Sequence, residues 1–228
     1  MDAVEFGMAL IQIVWINILL SGDNAMVIAL ACRSLPERQR RAGVVLGAAA
    51  AVVLRILFTA GIAQMLEIPY LKAAGALLLL WIAVKLCLTE DEDPTVAAHE
   101  RLWRAVWTVV VADMVMSLDN VVAIAGAARG SVPLIGFGLA LSIPLIVFGA
   151  TLIVTLLNRF PILVWAGAAL LGWIAGEMVM DDRAVLSWGV PASATYFVAA
   201  AAAALVPALG WALRSRGRAA PASGPDDS

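Results

Sequence analysis

Two short stretches of this chain set a carboxylate beside an amide within apolar sequence: Ser21-Gly22-Asp23-Asn24 and Ser117-Leu118-Asp119-Asn120. At a constant offset of 96, residues 21–33 and 117–129 share seven of thirteen identities, and the same register sets Asn17 opposite Asp113. At about 100° per residue, positions 17, 21 and 24 share one side of a helix, as do 113, 117 and 120, with Asp23 and Asp119 about one residue step away. An ionised aspartate at the centre of a bilayer costs roughly 3 kcal/mol or more, so such a residue faces a cavity or a partner. The donors are all oxygens: carboxylates of Asp23, Asp113 and Asp119, amides of Asn17, Asn24 and Asn120, hydroxyls of Ser21 and Ser117. Hard oxygen donors suit Mg2+, Ca2+ or Mn2+, whereas Cu(I) and Zn2+ recruit cysteine or histidine. The only histidine, His99, falls in a polar loop. Without a ligand, the same residues would form a hydrogen-bonded clamp between two helices.

A second constellation is Arg55, Lys85 and Glu177, charges inside apolar runs that suit gating or charge balance. Asp23, Asp113, Asp119 and Glu177 set against Arg55 and Lys85 leave two surplus negatives, enough to balance one divalent cation if all are ionised. Arg55, far from a helix end, calls for an acidic partner; Lys85 and Glu177 could instead reach the interfaces at either side. No buried Ser-His, Asp-His or His-x-x-x-His arrangement exists, so the chain does not read as an enzyme, and no prosthetic group is expected.

The elements that must carry these groups are membrane spans. Of the 228 residues, 63% are hydrophobic and 14% charged, and the mean hydropathy is +0.94, far from the composition of a soluble domain. A spanning helix needs about 20 apolar residues, and seven segments qualify: about 8–31, 41–65, 69–88, 104–128, 132–157, 161–180 and 191–213. The amino terminus lacks a positive n-region and a cleavage pattern, so no cleaved signal peptide is expected. Ten arginines (33, 38, 40, 41, 101, 104, 159, 214, 216 and 218) fall on one side of this topology, against Lys72, Arg129 and Arg183 on the other. The positive-inside rule then puts the amino terminus outside and the carboxyl terminus in the cytoplasm. Cys32 and Cys87, at cytoplasmic helix ends, read as free thiols.

A second internal match shows that the repeat is three helices long. Residues 69–85 align with 161–177 at an offset of 92 with ten of seventeen identities, among them Pro69/Pro161, Gly75/Gly167 and Trp81/Trp173. A unit with an odd number of helices must insert its two copies in opposite directions, the plan of many secondary transporters, which bind substrate near the midplane between the repeats. The expectation is an all-α polytopic membrane protein, one transmembrane domain over 1–228. It holds repeat one at about 8–88, repeat two at about 104–180, an extra helix at about 191–213 and a disordered cytoplasmic tail from 214 to 228. The run Ala199–Ala204 marks the extra helix for close packing.

With NILLSGDNAMVIALACRSLP, the LRILFT segment around Arg55, PYLKAAGALLLLWIAVKL, VVADMVMSLDNVVAIAGAARG and FPILVWAGAALLGWIAGEMVMDD in order over about 8–183, the chain resembles the TerC family of integral membrane proteins, in its short YjbE-like branch within the LysE transporter superfamily. Members are associated with manganese export, metal homeostasis and tellurium resistance. The resemblance implies a Mn2+ exporter of the cell membrane, working by alternating access, with the family's acidic motifs on Asp23/Asn24 and Asp119/Asn120 and with Asp113 in a matching segment. The partners expected are the bilayer and Mn2+ or another hard divalent cation, with a homo-oligomer open and no nucleic acid. Two alternatives keep the fold: an exporter of a small amino acid or cation, and a membrane partner that delivers metal without transporting it.

Overall fold

The computed structural model describes residues 7–8, 10–15, 21–61, 68–88, 98–128 and 131–219, and among them it is helical without strands. Asn17 lies outside the described residues, as do the side chains of Asp119 and Asn120, the acidic run 90–93 and the tail from 220. Residues 10–15 are helical. They are followed by α1 (Gly22–Cys32), α2 (Glu37–Gly61), α3 (Leu71–Leu88), α4 (Ala98–Ala128), α5 (Val132–Arg159), α6 (Ile162–Met180), the single turn α7 (Arg183–Leu186) and α8 (Ser193–Ala219). Five described helices are long and apolar enough to cross a membrane: those in α2, α3, α5, α6 and α8. The last helix runs past the expected 213 to Ala219, so the start of the expected tail is helical. Alanine and leucine favour helix there, and arginines near a helix C-terminus are stabilised by its dipole.

Large apolar side chains on the outside, including Leu57, Leu77, Phe137, Phe148 and Ile162, are more than half exposed. Water would not tolerate such a belt, and lipid would. Inside, the buried core runs through all the long helices. Small residues set the closest approaches. A Cβ added to Gly176 would meet Ala199 Cα at 2.5 Å, and one added to Gly172 would meet Ala202 O at 2.6 Å. The glycines of α6 and the alanines of α8 therefore pack backbone to backbone, as small residues do between membrane helices.

Among the antiparallel helix pairs are α1/α4, α2/α5 and α3/α6. In α1 and α4, Asn24 near the start of one lines a cavity with Asp113 of the other, and Ala31 near its end lines another with Arg101 and Arg104. For α2 and α5, the first turns of one (Glu37, Arg40, Arg41) face the last turns of the other (Thr151, Thr155, Asn158). The start of α3 meets the residue just beyond α6, through hydrogen bonds from the backbone N–H groups of Tyr70 (2.9 Å) and Ala73 (3.1 Å) to the Asp182 carboxylate. By contrast α2 and α4 run parallel, Gly43 lying against Leu102 and Gly47 against Val109.

Charges from elsewhere cap α3 at both ends. Asp182 is buried, and besides Tyr70 and Ala73 it accepts from Ala184 N at 2.8 Å, so one carboxylate serves the N-termini of α3 and α7. Tyr70, held there, has φ of +65°, a left-handed conformation that side chains other than glycine rarely adopt. At the other end, Arg33, itself buried, donates from Nη2 to Leu86 O at 3.1 Å. Burial alone would raise the Asp182 carboxyl, but the backbone N–H groups of Ala73, Ala184, Tyr70 and Lys72 outweigh it and hold the group below its ordinary 3.8. A depressed folded value means that this stabilisation is complete above about pH 4 and is lost as pH falls through the lowered value. Asp182→Ala is expected to cost about 2–3 kcal/mol at neutral pH, measured by thermal unfolding in detergent, with the gap between variant and wild type closing on acidification. An unchanged melting temperature at pH 7 would rule out this cap.

Candidate functional site: a buried carboxylate cluster at mid-helix

Arg55 sits in the C-terminal third of α2, in the run VVLRIL, with hydrophobic neighbours on both sides. Its side chain is 2% exposed, which is tolerable for a guanidinium only if each face finds an acceptor. Parallel packing against α4 supplies them. Nη2 donates to Asp113 Oδ1 at 2.6 Å, and Nε donates to Ser117 Oγ at 3.1 Å. Ser117 in turn donates to Asp113 Oδ2 at 3.1 Å. Asp113 and Ser117, four residues apart, are on one face of α4, so a single helical turn presents both acceptors. Each Asp113 oxygen is thus engaged, in a charge-assisted triad sealed from water.

The first helix brings its motif to the same place from the other side. Asn24, buried, lines with Asp113, Ala51 and Val109 a void with space for about one water. Asp23 is partly exposed in the first turn of α1, where its Oδ1 accepts the Asn24 N–H at 2.7 Å. A carboxylate in a helix's first turn is favoured by the helix dipole. Asp23 is also near enough to Arg55 and Asp113 to feel both charges. Sequence-expected residues Asp23, Asn24, Arg55 and Asp113 are therefore gathered at one level of the bundle. Asp119 and Asn120 follow on α4, within two turns of Asp113. Among the described residues no three His, Cys, Asp or Glu side chains converge as a metal site; Asp23 and Asp113 are the acidic members in view.

Lys85 and Glu177 are not brought together. They occupy the C-terminal turns of antiparallel α3 and α6, at opposite ends of that pair. The Lys85 ammonium lies over Trp81, 5.1 Å from the ring centroid, and lines a pocket with Arg101 and Arg104. Glu177 Oε1 accepts from Trp173 Nε1 at 2.8 Å, one turn back on its own helix. Neither cysteine forms a disulfide, and both are buried.

Two residues that hold the site's frame escaped the sequence reading, Arg33 and Asp182. Arg33 carried a signal, since it is one of the seven identities of the first repeat match. Asp182 carried a fainter one, an aspartate just before the short Arg-Ala-Val-Leu turn, in the place of a helix N-cap.

Helices that cross a membrane, an apolar exterior and a charged cluster sealed within define a multi-pass integral membrane protein. Residues 2–218 match the model of the integral membrane protein TerC family, and the chain belongs to that family. It is similar to the uncharacterized membrane protein YjbE of Bacillus subtilis (strain 168), 41% identical over 179 residues that cover 78% of this chain and 82% of the relative. Weaker likenesses are to the uncharacterized membrane proteins YceF and YkoY of the same organism. YceF is 27% identical over 78% of this chain and 72% of its own length. YkoY is 26% identical over 79% and 63%. No solved structure matches.

Proposed function

We propose that this chain is a carrier that exports a hard divalent cation, Mn2+ foremost, across the cell membrane by alternating access. The observation that carries the reading is the cluster itself: Asn24, beside Asp23 at the start of α1, faces the buried Asp113 of α4 across a water-sized void. Carboxylate and amide oxygens at that depth suit Mg2+, Ca2+ and Mn2+, and the family resemblance selects Mn2+ among them. Asp23 and Asp119 are the primary ligands, with Asn24, Asn120, Asp113 and Asn17 completing the site. In this reading the first helix and α4 also cross the membrane, giving seven spans. The antiparallel pairs α1/α4, α2/α5 and α3/α6 are the equivalent members of two inverted repeats, and their packing supports that plan. Arg40, Arg41, Arg104 and Arg159 lie at the same end of the bundle, which agrees with a cytoplasmic face there and an outside amino terminus.

The test is Mn2+ flux into proteoliposomes holding the purified protein, with Mg2+, Ca2+ and a small neutral amino acid as competitors. Mn2+ uptake above that of protein-free liposomes, inhibited by divalent cations and not by the amino acid, supports the reading. Amino-acid uptake in its place would move the substrate, and absence of all flux by folded protein would favour a non-transporting membrane partner.

A further inference from the structure

Any cation bound by Asp113 must contend with Arg55, because both carboxylate oxygens are already taken, Oδ1 by the guanidinium and Oδ2 by Ser117. A guanidinium and a divalent cation on one carboxylate repel each other strongly in a buried site, so only one of them can hold Asp113 at a time. The pair also has no counterpart under the internal repeat. The offset of 96 gives Asn17 for Asp113 and Ser21 for Ser117, and an offset of 90, which matches Ile56/Ile146, Phe58/Phe148 and Ala60/Ala150, gives Leu145 for Arg55. Where Arg55 packs against Ser117, the corresponding place beside Ser21 is an open cleft lined by Gly22, Ser142, Leu145 and Gly149. A built-in cation thus fills one of two related places.

We propose that Arg55 is a tethered substitute for the cargo: its guanidinium neutralises Asp113 while the site holds no cation, and cation binding displaces it. This rests on the carrier reading. A carrier that has released its cargo must return with its buried carboxylates uncompensated unless something replaces the lost charge. Arg55 neutralises one of them, Asp113, without a proton or a second ion, and it thereby favours net transport over exchange alone.

The experiment compares net Mn2+ efflux into Mn2+-free medium with the exchange of radiolabelled for unlabelled Mn2+, in the same proteoliposomes. Exchange never needs the empty carrier to cross. Arg55→Gln is expected to lower the ratio of net flux to exchange by about tenfold or more and to tighten Mn2+ binding by a similar factor, since the competitor for Asp113 is gone. Arg55→Lys, which keeps the cation, should restore much of the ratio. Equal losses of net flux and exchange in Arg55→Gln would make Arg55 a structural residue and overturn the proposal. If Arg55→Gln does not fold, the neutral pair Arg55→Gln/Asp113→Asn is compared with Asp113→Asn alone. Equal ratios support the proposal, because with Asp113 uncharged the carboxylate that Arg55 neutralises in it is gone; a further tenfold fall overturns it. Wild-type protein inactive in both assays would instead remove the carrier reading on which the proposal stands.

Discussion

Asp113→Ala is expected to lower the stability of the purified protein by about 3–5 kcal/mol, the cost of leaving one member of a buried ion pair without its counter-charge. The guanidinium left behind is 2% exposed and loses its contact to the Asp113 carboxylate, while Ser117 itself loses the oxygen to which it donates. Removing both charges together has a different sign. Arg55→Met with Asp113→Leu replaces the pair by apolar groups of similar size, and such exchanges elsewhere are neutral or stabilising by about 1–4 kcal/mol. The double variant should therefore melt at or above the wild-type temperature in detergent. An Asp113→Ala protein within about 1 kcal/mol of wild type would show that the pair does not carry the burial described here.

The second large effect concerns transport. Asp23→Asn with Asp119→Asn should reduce Mn2+ flux by about 100-fold or more, since each change removes a charge-assisted contact worth about 1.5–3 kcal/mol, and 1.4 kcal/mol is a factor of ten. Asparagine keeps the shape of the side chain and an oxygen that can still accept the Asn24 N–H, so membrane insertion should be unaffected. The measurement is initial Mn2+ uptake by proteoliposomes at matched protein content. Normal uptake by the double variant would sink the assignment of these two residues as ligands.

Much of this arrangement was legible in the chain, and what was not has a physical cause. The hydropathy of the segments marked the spans in α2, α3, α5, α6 and α8, because lipid imposes length and apolarity on each helix independently of its neighbours. That Arg55 needs an acid was legible too, since a guanidinium in the run VVLRIL cannot be buried alone. That the acid is Asp113 was not, because the choice depends on α2 lying parallel to α4 in one register, and three aspartates were on offer. That Asp182 caps a distant helix was not legible either. Its partners Tyr70 and Ala73 are 112 and 109 residues distant in sequence, and no local pattern reports a cap of that span. Lys85 and Glu177 were equivalent by repeat. In an antiparallel pair, equivalence is what separates them, because matching positions lie at opposite ends.

The two foreign charges on α3 constrain how the bundle can move. Asp182, from beyond α6, grips the N-terminal end, and Arg33, from the end of α1, grips the C-terminal end. A slide of one helical turn along the axis, about 5.4 Å, would break both grips together. A small rotation about that axis strains them far less, because the gripped backbone atoms lie only about 2 Å from it. For motions that keep both contacts, α3 is thus an axle, its bearings supplied by opposite halves of the chain.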